Sequence, residues 1–266
     1  MKLAGCRALI TGASAGIGHE LAQQLAGRAA VLVLVARRRE RLEKLRAQLT
    51  QQAPNLIVHV READLSDPAQ VDELSEWIER ENVAIDFLVN NAGLGDMGPF
   101  SSGESGRIKE MLMVNVVALT MLTRRLLPQM IARKRGAILN VSSAASFLPI
   151  AGFAVYAASK AYVTSFSEAI RAELRGTGVS VTSLCPGPVH TEFRDVARRS
   201  PGAPENAAPE VAHVSVEEVV RAALDAVERD APLVIPGILM KFGMFLLRLT
   251  PLSVLRLAAR LSKKRA

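Results

Sequence analysis

Cysteine is almost absent: Cys6, at an apparent first strand, and Cys185, just before a Pro-Gly turn, are the only two in 266 residues. So few thiols exclude a disulfide framework, and without Cys and His at ligand spacing no metal site is expected. A reducing, cytoplasmic setting is the expectation. A long apolar leader is also missing, because residues 1–5 run into a short apolar strand and a glycine-rich turn, and no secretory signal is expected. No linker or internal repeat divides the chain, and 49% hydrophobic residues exclude global disorder. Acid is missing from one place. Residues 233–266 hold Lys241, Arg248, Arg256, Arg260, Lys263, Lys264 and Arg265 with no Asp or Glu, so residues 1–232 carry 26 charges of each sign and the whole +7 excess belongs to the C-terminal stretch.

Short β-branched or leucine-rich runs at 7–11, 30–36, 56–61, 87–90, 137–141, 179–184 and, weakly, 233–235 alternate with longer amphipathic stretches. That alternation predicts an α/β chain, a doubly wound Rossmann fold with a seven-stranded, mostly parallel sheet and helices on both faces. Asp67-Pro68 with Gln70, and Ser215 with Glu218, mark two helix starts. The uncharged run 136–159 is long enough to span a bilayer, but its Asn140, serines, glycines and Pro149 read as strand, loop and helix start. Residues 191–215, rich in Pro, Ala and charge, read as an irregular insertion in a single domain over 1–237.

Ligands of such a sheet bind beyond the carboxyl ends of its strands. The first strand is followed by Thr11-Gly12-Ala13-Ser14-Ala15-Gly16-Ile17-Gly18 and then a helix, a turn whose glycines let backbone approach a pyrophosphate at a helix N-terminus. The second strand ends in Arg37, Arg38 and Arg39 and lacks the carboxylate that would take a ribose 2′-hydroxyl; guanidinium groups there suit a 2′-phosphate, which favours NADP(H) over NAD(H). A solvated helix start is the competing reading, although arginine is unfavourable at that end of a helix dipole. Asp64, beside Leu65, can accept from an adenine amino group or from its own turn. Asn91, Ala92 and Gly93 place small residues at the fourth strand's end.

Tyr156 and Lys160 stand at i, i+4 near a helix start, which sets phenol and ammonium on one face. A close ammonium would lower the tyrosine pKa and make Tyr156 a general acid/base. The ordered set Thr11-Gly12-x3-Gly16-x-Gly18, Asn91-Ala92-Gly93, Asn115, Ser143, Tyr156-x3-Lys160 and Pro186-Gly187 resembles the short-chain dehydrogenase/reductase family, from residue 5 to about 235. The resemblance implies that Tyr156 exchanges a proton with the substrate oxygen and that Ser143, thirteen residues earlier, orients that oxygen. Ser142 is then left a structural role. It further implies that Lys160 binds the nicotinamide ribose, that Asn115 holds a proton-relaying water, and that Gly12, Ser14, Gly16, Ile17 and Gly18 hold the pyrophosphate end. Pro186, Gly187, Val189 and Thr191 would face the nicotinamide, with pro-S hydride transfer, and His190 has no assigned role. A homo-oligomer, dimer or tetramer, through the helices carrying Asn115 and Tyr156 also follows from the resemblance. A non-catalytic NADP(H)-binding sensor or scaffold is the alternative.

Phe147, Leu148, Pro149, Ile150 and Phe153, with residues 191–215, read as an apolar substrate wall, so a lipophilic small molecule is the expected substrate. Beyond the family pattern, residues 238–266 form a basic amphipathic extension. Phe242, Phe245, Leu246 and Leu249 share one helical face, and Val254, Leu257, Ala258 and Leu261 share another opposite Arg256, Arg260 and Lys263. Peripheral membrane contact, a pocket cap and a subunit interface all fit that pattern. Nucleic-acid binding is not expected, because the stretch lacks a readout motif.

Overall fold

The computed structural model describes residues 1–199 and 214–250. Among these, seven strands form one sheet in the order β3-β2-β1-β4-β5-β6-β7, with every pairing parallel. They are β1 (Arg7–Thr11), β2 (Val31–Ala36), β3 (Ile57–Glu62), β4 (Phe87–Asn90), β5 (Gly136–Val141), β6 (Val179–Leu184) and β7 (Leu233–Val234). Each lies within one residue of its sequence-predicted bounds.

Side chains alternate across a strand, and both faces of the sheet's centre are covered, which is why a strand such as β2 reads as an unbroken apolar run, whereas the edge strand β3 carries His59, Arg61 and Glu62. Ala8, Ile10, Leu32 and Leu34 point to one face, where they pack with α1 (Gly16–Ala26), α2 (Arg39–Gln52) and α8 (Val216–Glu228). Leu9, Val33, Val35 and Leu88 point to the other and meet α3 (Pro68–Arg80), α5 (Leu119–Ala132) and α6 (Ala154–Glu173). Register follows from this alternation, as in Ile10 beside Leu34 and Val89. A slip of one residue would turn every buried side chain to the wrong layer.

Both predicted helix starts form: Asp67 Oδ1 accepts from Ala69 N at 3.0 Å, and Ser215 Oγ accepts from Glu218 N at 3.2 Å. The uncharged run 136–159 becomes β5, a 3₁₀ turn (Ala144–Phe147) and the start of α6. Helix α4 (Ser105–Leu112) continues through a π-helical turn (Met113–Ala118) into α5. By length and composition this rod, Ser105–Ala132, passes for a membrane span, yet Val114, Leu122, Leu126 and Met130 bury it in the core. The insertion expected to be irregular contains a short helix, α7 (Phe193–Ala197), and Arg198 bridges to Met97. The rest of that insertion, 200–213, and the predicted face of Val254, Leu257, Ala258 and Leu261 lie outside the described residues. Helix α9 (Ile238–Leu249) follows β7.

Candidate active site

The chain winds outward in opposite directions from β1 and from β4, which leaves a crevice at their carboxyl ends. Thr11 closes β1 and braces that crevice: its Oγ1 accepts from Asn91 N at 2.9 Å and Ala92 N at 3.0 Å. In return Asn91 Nδ2 donates to the Thr11 carbonyl at 2.9 Å and the Gly12 carbonyl at 3.3 Å. The Asn91 amide therefore supports the glycine turn. At Gly12, φ is +67° and a Cβ would lie 2.8 Å from Asn91 Nδ2, so only glycine fits. Gly18 packs equally close to the Gly12 carbonyl, while Thr191 lies over Gly16. Ile17 and Val189 pack at the margin of the core. Helix α1 opens at Ala15 with no side-chain cap and no acid in its first turn, so its free N–H groups suit an anion.

Beside this turn a second anion position is already built. Arg38 Nε and Nη2 donate to Ser14 Oγ at 3.4 and 3.3 Å, and Arg38 Nη1 donates to Glu192 Oε2 at 3.0 Å. Arg41 Nη1 donates to Glu192 Oε1 at 2.7 Å. The hydrogen bonds from Arg41 and Arg38 hold the Glu192 carboxyl below its usual range. Arg41 and Glu192 were not foreseen. Arg41 could have been, because it lies one turn beyond Arg38 on α2; Glu192 gives no sequence signal.

Arg37 is not part of this group. Its Nη1 donates to Glu110 Oε1 at 2.8 Å and lies 3.8 Å from Asp64 Oδ2. Asp64 Oδ1 accepts from Ser66 N at 2.9 Å and Ser66 Oγ at 2.7 Å, which is the local-turn arrangement, and Leu65 is buried in the second core layer.

At the reacting end β5, the 3₁₀ turn and α6 converge. Ser143 caps the 3₁₀ turn, its Oγ accepting from Ala145 N at 3.1 Å, and stands near enough to the Tyr156 phenol to favour its ionised form. Pro186 accepts from Ala144 N at 2.9 Å and ties the 186–187 turn to the same place. Ser142 is turned inward, donating to the Lys160 carbonyl at 2.8 Å. Lys160 is buried; its Nζ donates to the Val141 carbonyl at 2.8 Å and stands 5.7 Å from the Tyr156 ring centre. A Cβ on Gly93 would lie 3.3 Å from that Nζ and 3.4 Å from Asn115 Oδ1, so these three residues meet.

Two expectations change here. The lysine was to lower the tyrosine pKa, but burial pushes Tyr156 up to about 12 despite the opposing influence of Ser143, and burial pulls Lys160 down to about 8. Desolvation penalises the charged form of each group, and the lysine Nζ is anchored on the Val141 carbonyl, 5.7 Å from the phenol ring centre. Asn115, expected to hold water, spends its side chain on protein: Nδ2 donates to the Leu94 carbonyl at 2.9 Å and Ser159 Oγ at 3.0 Å, and Oδ1 accepts from Leu94 N at 2.8 Å. It sits in the π turn, a local widening of helix geometry that is frequent at functional sites.

Comparison with known proteins decides what this crevice belongs to. Residues 7–201 match the short chain dehydrogenase family. The chain belongs to the short-chain dehydrogenase/reductase family. It is 37% identical over 190 residues, 71% of this chain and 75% of the other, to the NADP-dependent 3-hydroxy acid dehydrogenase YdfG of Escherichia coli K12. Among solved structures, a short-chain dehydrogenase from Sphingobium yanoikuyae in complex with NADPH superimposes with a TM-score of 0.80 at 33% identity, over 88% of each chain. The bulky-bulky ketone specific alcohol dehydrogenase of Comamonas testosteroni does so with a TM-score of 0.76 at 32% identity, over 88% of this chain and 86% of that one.

This short-chain dehydrogenase/reductase surrounds its tyrosine with apolar groups. Phe153 stacks on Tyr156 at 4.2 Å between ring centres, and Phe193 of α7 lies at 5.4 Å. Met111, Ala145, Leu94 and Ile150 complete the cluster. Of the predicted wall, Ile150, Phe153 and, from the 191–215 segment, Phe193 are in it; Leu94 and Met111 come from segments too distant in sequence to be recognised. Helix α7 is fastened over this cluster by buried Asp96, which takes Arg199 Nη2 at 2.6 Å and Nε at 2.9 Å, with Arg107 Nε at 3.2 Å. Arg107 also donates to the Val196 carbonyl.

Proposed function

We propose that this oxidoreductase uses NADP(H) and moves a hydride between the nicotinamide and a carbonyl or carbinol carbon of an apolar small molecule, with Tyr156 as general acid/base. The observation that carries the reading is the buried phenol beside Ser143 inside a cluster of Phe153, Phe193, Ile150 and Met111. A protein that only binds a dinucleotide has no need of that pair.

The crevice fits such a cofactor. The side-chain-free cradle at Gly12 and Gly18 and the uncapped start of α1 suit a pyrophosphate, with Ser14, Gly16 and Ile17 around it. Arg38 and Arg41 already gather around one carboxylate, with Ser14 against Arg38, and a 2′-phosphate would take the place of Glu192. Asp64 and Leu65 stand toward the adenine, Arg37 reaches the cofactor only through Asp64, and Asn91, Ala92, Gly93, Pro186, Gly187, Val189 and Thr191 line the route to the nicotinamide. Bound, the cofactor supplies or accepts the hydride.

The chain's own groups do the rest. In reduction Tyr156, protonated throughout the physiological range, donates its hydroxyl proton to the developing alkoxide, while Ser143 hydrogen-bonds the same oxygen. Lys160 and Gly93 hold the ribose side, and the relay water assigned to Asn115 falls to the backbone of its π turn, because the amide is occupied. Exposed Leu112, Val117, Met121 and Tyr162 on the helices carrying Asn115 and Tyr156 support a homo-oligomer there. Residues 1–237 work as one unit, in a reducing compartment that suits the free, buried Cys6 and Cys185.

A panel of ketones and aldehydes, followed by NADPH oxidation with NADH alongside, tests the reading. Turnover is expected on apolar carbonyl compounds with NADPH preferred, and Tyr156→Phe lowers kcat by about 10²–10⁴-fold while NADPH binding changes less than about twofold. Undiminished turnover in the folded Tyr156→Phe protein sinks the assignment.

A further inference from the structure

We propose that α9 and the basic segment that follows it dock this protein on an anionic lipid surface. The inference does not rest on the catalytic reading. Helix α9 presses one side on the domain: Met240, Met244 and Leu247 are half-buried, and Met240 lies against Gly187, where an added Cβ would come within 2.5 Å of its Cε. At about 100° per residue, Ile238, Phe242, Phe245 and Leu249 fall within roughly 60° of arc on the opposite side, and Leu239 and Leu246 widen it. All six are exposed, Ile238 by 89% and Phe242 by 61%.

The direction of this face decides between the three roles open to the extension. An apolar arc turned away from the domain cannot cap the pocket beneath it. Pairing of two copies through α9 would bring together two acid-free stretches of seven cations each, with like charge opposing the contact. A bilayer with anionic headgroups takes both halves of the pattern, burying the apolar arc at the acyl boundary and attracting Lys241 and the downstream cations. At 12 residues α9 is too short to cross, so it would lie in the interface. Docking there sets Gly187 and the 3₁₀ turn that α9 touches next to the lipid, a position from which an apolar substrate can enter.

Vesicle flotation of the full chain tests this, with phosphatidylcholine vesicles against vesicles containing 30% phosphatidylserine, at about 0.1 and 0.5 M salt. Binding to the anionic vesicles is expected to exceed binding to the neutral ones by at least about fivefold and to fall toward the neutral level in high salt. Phe242→Asp/Phe245→Asp is expected to lower it about tenfold with the thermal midpoint unchanged. Lys263→Glu/Lys264→Glu/Arg265→Glu, outside the helix, provides a second variant that reverses charge without touching the apolar arc and should also lose binding. Equal binding to both vesicle types, or none, overturns the proposal. So does a fall in oligomeric state of Phe242→Asp/Phe245→Asp by sedimentation without any vesicle binding in the wild type, which makes the face an interface between copies.

Discussion

Lys160 and Tyr156 are buried together, and burial disfavours the charged form of each: the amine sits at about 8 against 10.5 when exposed, and the phenol at about 12 against 10. For Lys160 the unfolded chain binds more protons than the folded one between those two values, so stability rises with pH across that window and the penalty is complete below about pH 8. Tyr156 works oppositely; its contribution is present below pH 10 and is lost as pH rises through about 12. The urea unfolding free energy of the cofactor-free protein should therefore increase from pH 7.5 to 9.5 by on the order of 1–2 kcal/mol relative to the Lys160→Met variant. A flat difference, or a decrease, would show that the ammonium is not desolvated. The spacing Tyr156-x3-Lys160 was legible in the sequence because helix geometry puts i and i+4 together. The sign of the tyrosine shift was not legible, because it depends on how much solvent the surrounding aromatics exclude and on the Val141 carbonyl that anchors the lysine.

Among elements, strands were readable to within a residue, since the central ones, buried on both faces, are mostly apolar and the others keep short β-branched runs. Helix α7 and the π turn were not. Five residues carry no periodicity, and the π turn is imposed from outside the helix by the bonds of Asn115 to Leu94 and Ser159. What places α7 is equally non-local: Asp96 reaches 103 residues along the chain to Arg199. The Arg199 hydrogen bonds hold the Asp96 carboxyl below its ordinary value, so its contribution is present above about pH 4 and is lost as pH falls through the lower, folded value. Asp96→Ala leaves two guanidinium groups without their shared acceptor and should cost roughly 2 kcal/mol, less than a fully buried pair because both arginines reach solvent. The expected signature is limited proteolysis near 193–199 at neutral pH in Asp96→Ala, matched by the wild type only in acid; equal cleavage of the two proteins at neutral pH would remove Asp96 from the role.

For the whole molecule, charge and topology divide the work. Residues 1–232 are balanced, so the anion site at the crevice is a local arrangement of Arg38 and Arg41 and not a consequence of net charge. The crevice itself exists because the chain reverses direction between β1 and β4, a property of strand order that no single motif encodes. Glu192 crosses it, joining the 186–199 segment to α2, and in the cofactor-free protein it occupies the guanidinium groups. Cofactor binding then has a global readout, since a ligand at about 100 times its Kd adds about 2.7 kcal/mol to folding stability, on the order of 5–10 °C in Tm for a chain of this size. NADPH should raise Tm by that amount and NADH by markedly less at equal concentration. In Arg38→Ala/Arg41→Ala the NADPH shift should shrink to the NADH value, because the 2′-phosphate loses its partners. Glu192→Gln should act the other way at subsaturating NADPH, enlarging the shift by removing a competing carboxylate, with no change for NADH. Equal shifts by the two cofactors in the wild-type protein would mean that Arg38 and Arg41 serve only to hold Glu192 across the crevice, and that the preference for a 2′-phosphate is absent.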